Sequence, residues 1–351
     1  MTSHERFTRM YAHQDADRVP ILDSPWKETV DRWVREGMTS RDYVQYFDLD
    51  QIGTLWIDNS PRYPERVLEK TDQYTIYTTR WGATLRSWTQ HGSTPEFLDF
   101  TIASPETWRE AKQRMLEGEN RIDWNYLKTQ YPTWKTDGCW IRCGLWFGFD
   151  VTHSWTIGTE RLLMALIEDP DWCTDMFNTF LDVDLAWLDR IWAAGYTFDE
   201  IQWPDDMGYK GTQFFSLKMY RDLIKPVHKR AADWAHAHNV KVHLHSCGDV
   251  NPFVPEFIDI GIDALNPLEV KAGMDPIHLK WTYGNQLVLH GGINAVLWDQ
   301  PDQIIAEIER VVPVMKENGG YIFASDHSIP ENVSLTDFTQ IIAAAKRFGA
   351  Y

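Results

Sequence analysis

The sequence predicts an α/β protein: a (β/α)8 TIM barrel with an N-terminal elaboration and a β-hairpin insertion near residues 70–90. Three observations carry this. Between residues 197 and 325 short strands alternate with amphipathic helices, the rhythm of parallel βα units. Five strands in that stretch and three earlier candidates make eight, the number a closed barrel requires. A doubly wound open sheet is the alternative. It normally carries a Gly-rich phosphate loop, and neither GxGxxG nor GxxxxGK followed by Ser or Thr occurs here.

In chain order, the early strand candidates are Val19–Leu22, Ile52–Ile57 and Cys139–Leu145. Residues 60–135 break the βα rhythm. Within them Tyr74, Ile76 and Thr78 alternate with Thr75, Tyr77 and Thr79, which predicts a hairpin or small added sheet beside the barrel mouth. A strand over 197–203 leads to a helix over 216–238, with Leu217, Tyr220, Ile224, Val227 and Ala231 at helical spacing and Ser216 as its N-cap. Then come a strand at 240–246, a helix near 251–260, and strands at 262–266 and 286–290. A helix at 301–316, a strand at 320–325 and a helix at 335–348, opened by Ser334, complete the chain. No Pro/Gly/Ser-rich linker divides it, so residues 1–351 are expected to form a single domain.

Composition narrows the function. With 34 Lys plus Arg against 51 Asp plus Glu the net charge is −17, which disfavours nucleic acid and anionic membranes as partners. No apolar stretch approaches the roughly 20 residues that span a bilayer, and the start has no signal-peptide h-region. Four cysteines in 351 residues are not a disulfide framework, so a cytoplasmic protein is expected. The 18 tryptophans are unusual. Trp26, Trp33, Trp56, Trp81 and Trp88 suit either an aromatic pocket or the core.

The most informative segment is Lys241-Val-His-Leu-His-Ser-Cys-Gly-Asp249. Alternation on a strand puts His243, His245 and Cys247 on one face and Val242, Leu244 and Ser246 on the other. His245 and Cys247 then sit at the strand's C-terminal end, where barrel enzymes keep their chemistry. Imidazole and thiolate at this spacing suit zinc, although a buried histidine and a small buried thiol explain them equally well. His243 lies a layer deeper and reads as a hydrogen-bonded interior group. Asp326 and His327, after the strand Tyr321–Phe323, offer a third ligand or an acid/base, or else a loop cap and a solvated histidine. Asp205 and Asp206 follow the 197–203 strand. Adjacent carboxylates perturb each other's pKa and can serve as base or cation site, or simply form a turn. Glu269, Asp275, Gly292 and Asn294 follow further strands. Five consecutive strands thus end in polar or Gly-rich loops, which points to one site on one barrel face. Cys139 and Cys143 have no companion ligand pair and read as buried thiols.

Taken together, these residues resemble the uroporphyrinogen decarboxylase superfamily, which also contains zinc-dependent, cobamide-linked methyltransferases. The resemblance runs through His13-Gln-x-x-Asp-Arg-Val-Pro20, Phe214-Phe-Ser-x-x-x-Tyr220, Ile224-Lys-Pro226, His245-Ser-Cys-Gly248, Gly261-Ile-Asp-Ala-Leu-Asn-Pro267, Gly291-Gly-Ile-Asn294 and Asp326-His327. It implies a TIM barrel. The decarboxylases carry an arginine-rich loop for a polyacidic tetrapyrrole; here that stretch is Ile21-Leu-Asp-Ser-Pro-Trp-Lys-Glu28. The resemblance therefore favours the methyltransferase branch. It implies zinc on His245, Cys247 and, where the family has a distant Cys, His327. It implies Asp206, Glu269 and His327 as catalytic residues, with Asp205, Asn294 and Gly292 on the cofactor. The expected reaction moves a methyl group between a small or aromatic methylated substrate, or a thiol acceptor, and a corrinoid, either as a co-substrate or on a partner protein. Family members often pair, so a homodimer is expected. The alternatives are a metal-free lyase with another carboxylated substrate and a non-catalytic corrinoid- or tetrapyrrole-binding protein.

Overall fold

The computed structural model describes residues 1–89 and 94–351. Strand β1 is Ile52–Trp56. Strands β2 (Val67–Lys70), β3 (Tyr74–Thr78), β4 (Ala83–Trp88) and β5 (Glu96–Phe100) follow, then β6 (Trp140–Gly144) and β7 (Glu200–Pro204). After a two-residue ribbon of β8 (Gly208–Tyr209) and β9 (Thr212–Gln213) come β10 (Lys241–His245), β11 (Ala264–Asn266), β12 (Val288–His290) and β13 (Tyr321–Ile322). The main sheet has seven strands in the order β1-β6-β7-β10-β11-β12-β13, and every pair is parallel. The fold is therefore α/β with helices between consecutive strands, as the alternation predicts.

The eighth predicted strand departs from expectation. Val19–Leu22 is not a regular strand; Ile21 makes one isolated parallel bridge to Phe323. On its other side the Ile21 carbonyl accepts from Asp50 N at 3.2 Å. Pro20 has no N–H to give a ladder, and the Ile21 N–H is taken by the Asp50 carboxylate at 2.8 Å. That carboxylate also receives Arg6 and Arg18, so a buried ion cluster replaces strand pairing here.

The predicted hairpin is larger than expected. Strands β2 to β5 form a four-stranded antiparallel sheet. Its outer strand β2 is exposed at every residue and so carries no alternation to read. Residue 90, at the hairpin's predicted end, lies outside the described residues.

Helices cover the main sheet. The predicted 216–238 helix is one run, Leu217 to Ala237, with a π-helical turn over Tyr220–Ile224; Ser216 caps it by accepting from Met219 N. The long helix Pro170–Ala193 buries Met176, Phe177, Phe180, Leu188 and Ile191. Each such side chain contributes about 1.5–3 kcal/mol of apolar burial. At the strands' N-terminal end the helix Ser3–Tyr11 plugs the sheet, with Phe7 and Tyr11 stacked on Trp140 at 5.3 and 5.4 Å. That leaves the C-terminal ends free to carry a site. Among the described residues, no helix is long and apolar enough to cross a membrane.

Candidate functional site

Asp206, His245 and Cys247 come together at the ends of β7 and β10, with one ligand-type atom from each lying within 4.8 Å of the others. Cys247 Sγ is 3.4 Å from His245 Nε2, and Asp206 Oδ1 is 3.5 Å from the same nitrogen. Parallel pairing sets this up: His245 is in register with Pro204, so the residues just beyond each lie side by side. Two glycines lock the loops together. A side chain on Gly248 would meet the Gly208 backbone at 2.1 Å, and one on Gly208 would meet Cys247 O at 2.6 Å. Gly208 N donates to that same Cys247 carbonyl at 3.2 Å.

Hydrogen bonds orient each member. Cys247 N donates to Asp206 Oδ1 at 2.8 Å. His245 Nδ1 lies 3.1 Å from Asn266 Oδ1, at the end of β11. With that oxygen accepting, Nδ1 carries the proton and Nε2 turns its lone pair toward the sulfur and the carboxylate. Burial pushes the Cys247 thiol well up, and the carboxylates of Asp206 and Glu269 push it further. Burial also raises Asp206, against the pull of His245. A cation among the three would reverse both effects.

These residues fit a zinc ion. Thiolate, imidazole and carboxylate are its usual donors, and bonds of about 2.0–2.3 Å at tetrahedral angles need donors roughly 3.5 Å apart. Three protein donors leave a fourth position free for a reactant, as catalytic zinc sites do.

The cluster stands between two cavities. The inner one, about 620 Å³, is lined by His245 and Cys247 with Asp23, Arg142, His290 and His327. The outer one, about 770 Å³, is lined by Asp206 and Cys247 with Asp150, Glu269, Trp155 and Phe214. Cys247 alone of the three opens on both.

The pattern of the uroporphyrinogen decarboxylase family matches residues 153–348, more than half of the sequence. The chain belongs to this family. Over its whole length it is similar in fold to a methyltransferase from Methanosarcina mazei, with 15% identity, 100% of each chain covered and a TM-score of 0.62. Weaker likenesses are to ZgEngAGH5_4 in complex with a cellotriose and to xylanase B from Clostridium stercorarium F9. The first has 11% identity, 66% and 79% coverage of this chain and that one, and a TM-score of 0.40; the second has 12%, 59% and 74%, and 0.34. Neither of the two carries an argument. No curated protein matches the chain.

Set in this uroporphyrinogen decarboxylase-family frame, the expected site residues divide. Asp206 stands where His327 was expected to complete the cluster. His327 lines the inner cavity but is exposed, its ring edge-on to Trp26 at 6.3 Å. Its loop is held toward residues 24–26, because Ile329 N donates to Ser24 O and Trp26 N to Ile329 O. Glu269 joins the site, accepting from Gly248 N at 2.6 Å beside Lys271 Nζ at 3.2 Å. Asp205 does not: it lines neither cavity, one oxygen accepting from Asp150 N and the other facing His228 Nε2 at 2.7 Å. Asn294 caps its own turn through Val296 N, and Gly292 packs on Pro276; both lie outside the two cavities.

Other residues were missed in sequence. Asp23, Arg142 and His290 line the inner cavity. The only signal for Asp23 was an acid just past Pro20; Arg142 sits in a strand read for its cysteines, and His290 ends one read for its apolar residues. Below them Glu200 receives Arg142 Nε at 2.5 Å and His243 Nδ1 at 3.1 Å, and His243 Nε2 meets His290 Nδ1 at 3.2 Å. His243 is the interior group its depth predicts. Burial lowers both histidines, so His290 is neutral with Nε2 as the remaining acceptor. The tryptophans split too: Trp33 is core, stacked on Phe338 at 4.5 Å, while Trp56 and Trp81 line a separate cavity of about 680 Å³ with Trp146.

Proposed function

We propose that the protein is a zinc-dependent methyltransferase moving a methyl group between a small or aromatic methylated substrate, or a thiol acceptor, and a corrinoid, either as a co-substrate or on a partner protein. The observation that carries it is the Asp206, His245 and Cys247 cluster at the strand ends of a uroporphyrinogen decarboxylase-family chain. Asp206, His245 and Cys247 would hold the zinc, which would supply Lewis-acid chemistry by lowering the pKa of a thiol or hydroxyl bound to it. Asn266 holds His245 in the tautomer that offers Nε2. The Cys247 N–H fixes the Asp206 carboxylate, and Glu269, through Gly248 N, steadies the loop that carries the sulfur. His327, at the inner cavity's mouth, is placed to exchange protons with a ligand there. The proposal takes residues 1–351 as one domain, a barrel closed between β13 and β1 by the irregular 19–22 segment, the cytoplasm as its place and a homodimer as its state.

Metal analysis of protein purified without chelator or affinity tag tests it. About one zinc per chain is expected in the wild type, falling at least about tenfold in Cys247→Ser and in Asp206→Asn, because a lost ligand costs more than the 10–100-fold of an outer partner. His327→Ala is expected to keep its zinc. Wild-type protein without zinc, even after supplementation, overturns the proposal in favour of the metal-free lyase.

A further inference from the structure

The outer cavity combines aromatic walls with an excess of carboxylates. Phe97 and Phe100 reach it from β5 of the added sheet, Trp155 from the π-helical turn Val151–Thr156, and Phe214 from the loop after β9. Phe97 meets Trp155 edge to face at 5.7 Å, and Phe214 tilts over Phe149 at 5.5 Å. All four wall rings are only half-buried, which leaves aromatic surface facing the space.

Among the described residues three carboxylates line the same space, Asp150, Asp206 and Glu269, against one lysine, Lys210, and one histidine, His153. Asp206 belongs to the metal cluster, and Glu269 has Lys271 beside it. Asp150 has neither. Its Oδ2 accepts from Trp146 Nε1 at 2.7 Å and its Oδ1 from Ser154 Oγ at 3.4 Å, and His153 Nε2 stands 3.5 Å from Oδ1. Its side chain is only 13% exposed, and among the described residues no Lys or Arg nitrogen pairs with it. A carboxylate lining a cavity without a Lys or Arg beside it leaves room for a cationic ligand to supply the opposite charge.

We infer that the outer cavity binds a methylated onium, an organic ammonium or sulfonium cation, with its methyl groups against the aromatic walls and its charge facing Asp150. Anions are repelled here, and a neutral ring gains nothing from the carboxylate. An onium gains from both, since ring faces attract a cation at close range. Cys247 opens on this cavity, so a methyl group held there lies beside the cluster. The inference deepens the methyltransferase reading by naming its substrate class, and it rests on that reading only in calling the ligand a substrate.

Isothermal titration of the full chain tests it, with zinc content measured on every sample. The probes are tetramethylammonium, choline, the uncharged choline isostere 3,3-dimethyl-1-butanol, and anisole. Choline is expected to bind about tenfold tighter than its isostere, as a desolvated cation–π contact of 1–2 kcal/mol gives, with tetramethylammonium binding too and anisole no better than the isostere. Asp150→Asn keeps the shape and the acceptor for Trp146 and is expected to narrow that gap, the rings keeping the rest. Phe97→Leu, on the added sheet away from the main core, is expected to weaken choline several-fold and checks the site if Asp150→Asn folds poorly. Equal binding of choline and its isostere, tighter binding of anisole, or a gap untouched by Asp150→Asn overturns the inference. Choline discrimination in zinc-free wild-type protein leaves the onium site standing while the methyltransferase reading fails; zinc without discrimination does the reverse.

Discussion

Replacing Glu200 by alanine is expected to destabilise the fold by about 3–5 kcal/mol, the cost of breaking a buried ion pair from one side. Glu200 is fully buried and accepts from Tyr11 OH at 2.7 Å, Trp140 Nε1 at 3.0 Å, Arg142 Nε at 2.5 Å and His243 Nδ1 at 3.1 Å. Removing it strands a guanidinium that is itself only 12% exposed and already has a buried Nη2 without a partner. Burial opposes the Glu200 charge, but Arg142 and His243 outweigh it and hold the carboxyl far below its ordinary 4.5. The stabilisation is therefore complete above about that pH and is lost only as pH falls through the much lower folded value. The shift in urea midpoint at pH 7 measures the effect, and a loss below about 1 kcal/mol would contradict it. The double variant Glu200→Leu with Arg142→Leu is expected to recover part of the loss, since removing both charges costs less than removing one.

That network also shows what the sequence disclosed and what it hid. The βα rhythm and the strand-end position of His245 and Cys247 were legible because they depend on periodicity along one segment. The predicted strands match β1, β6, β7 and β10 to β13 within a few residues. The Asp206 contact was not legible as geometry. It depends on the β7–β10 register and on the close approach of Gly208 to Gly248, two segments about 40 residues apart that no local pattern connects. His327 was drawn into the ligand set by resemblance, yet hydrogen bonds from its loop to Ser24 and Trp26 hold it elsewhere. The strand at 19–22 looked regular because Val19, Ile21 and Leu22 are apolar; Pro20 and the Asp50 carboxylate remove the ladder that would have made it one. The fate of each tryptophan was equally hidden, because Trp33 and Trp56 differ in what lies opposite them, not in their neighbours along the chain.

Asp23 should make the protein lose stability as pH rises from about 4 to 7, and Asp23→Asn should remove that loss. The side chain opens on the inner cavity and accepts from Ser325 Oγ at 2.8 Å and Ser24 N at 3.1 Å. Burial pushes its carboxyl from 3.8 up to about 7, against the pull of those donors. The sign follows from proton binding. Between 3.8 and about 7 the folded chain holds the Asp23 proton more tightly than the unfolded chain does, so rising pH favours unfolding, and above about 7 the penalty is constant. At 1.36 kcal/mol for each pH unit, the full effect is about 4 kcal/mol. Asp23 is half-buried beside a cavity that water can enter, so screening reduces the expected effect to about 2 kcal/mol. Asparagine cannot ionise and keeps one oxygen for Ser325 and Ser24. The variant is therefore expected to be slightly less stable than wild type at pH 5 and more stable at pH 8. Other titrating groups are common to both proteins, so the difference between them isolates Asp23. Parallel pH profiles would remove Asp23 as the cause. A change of sign would instead establish, on the inner cavity that Cys247 also lines, a carboxyl that can be neutral or charged near pH 7.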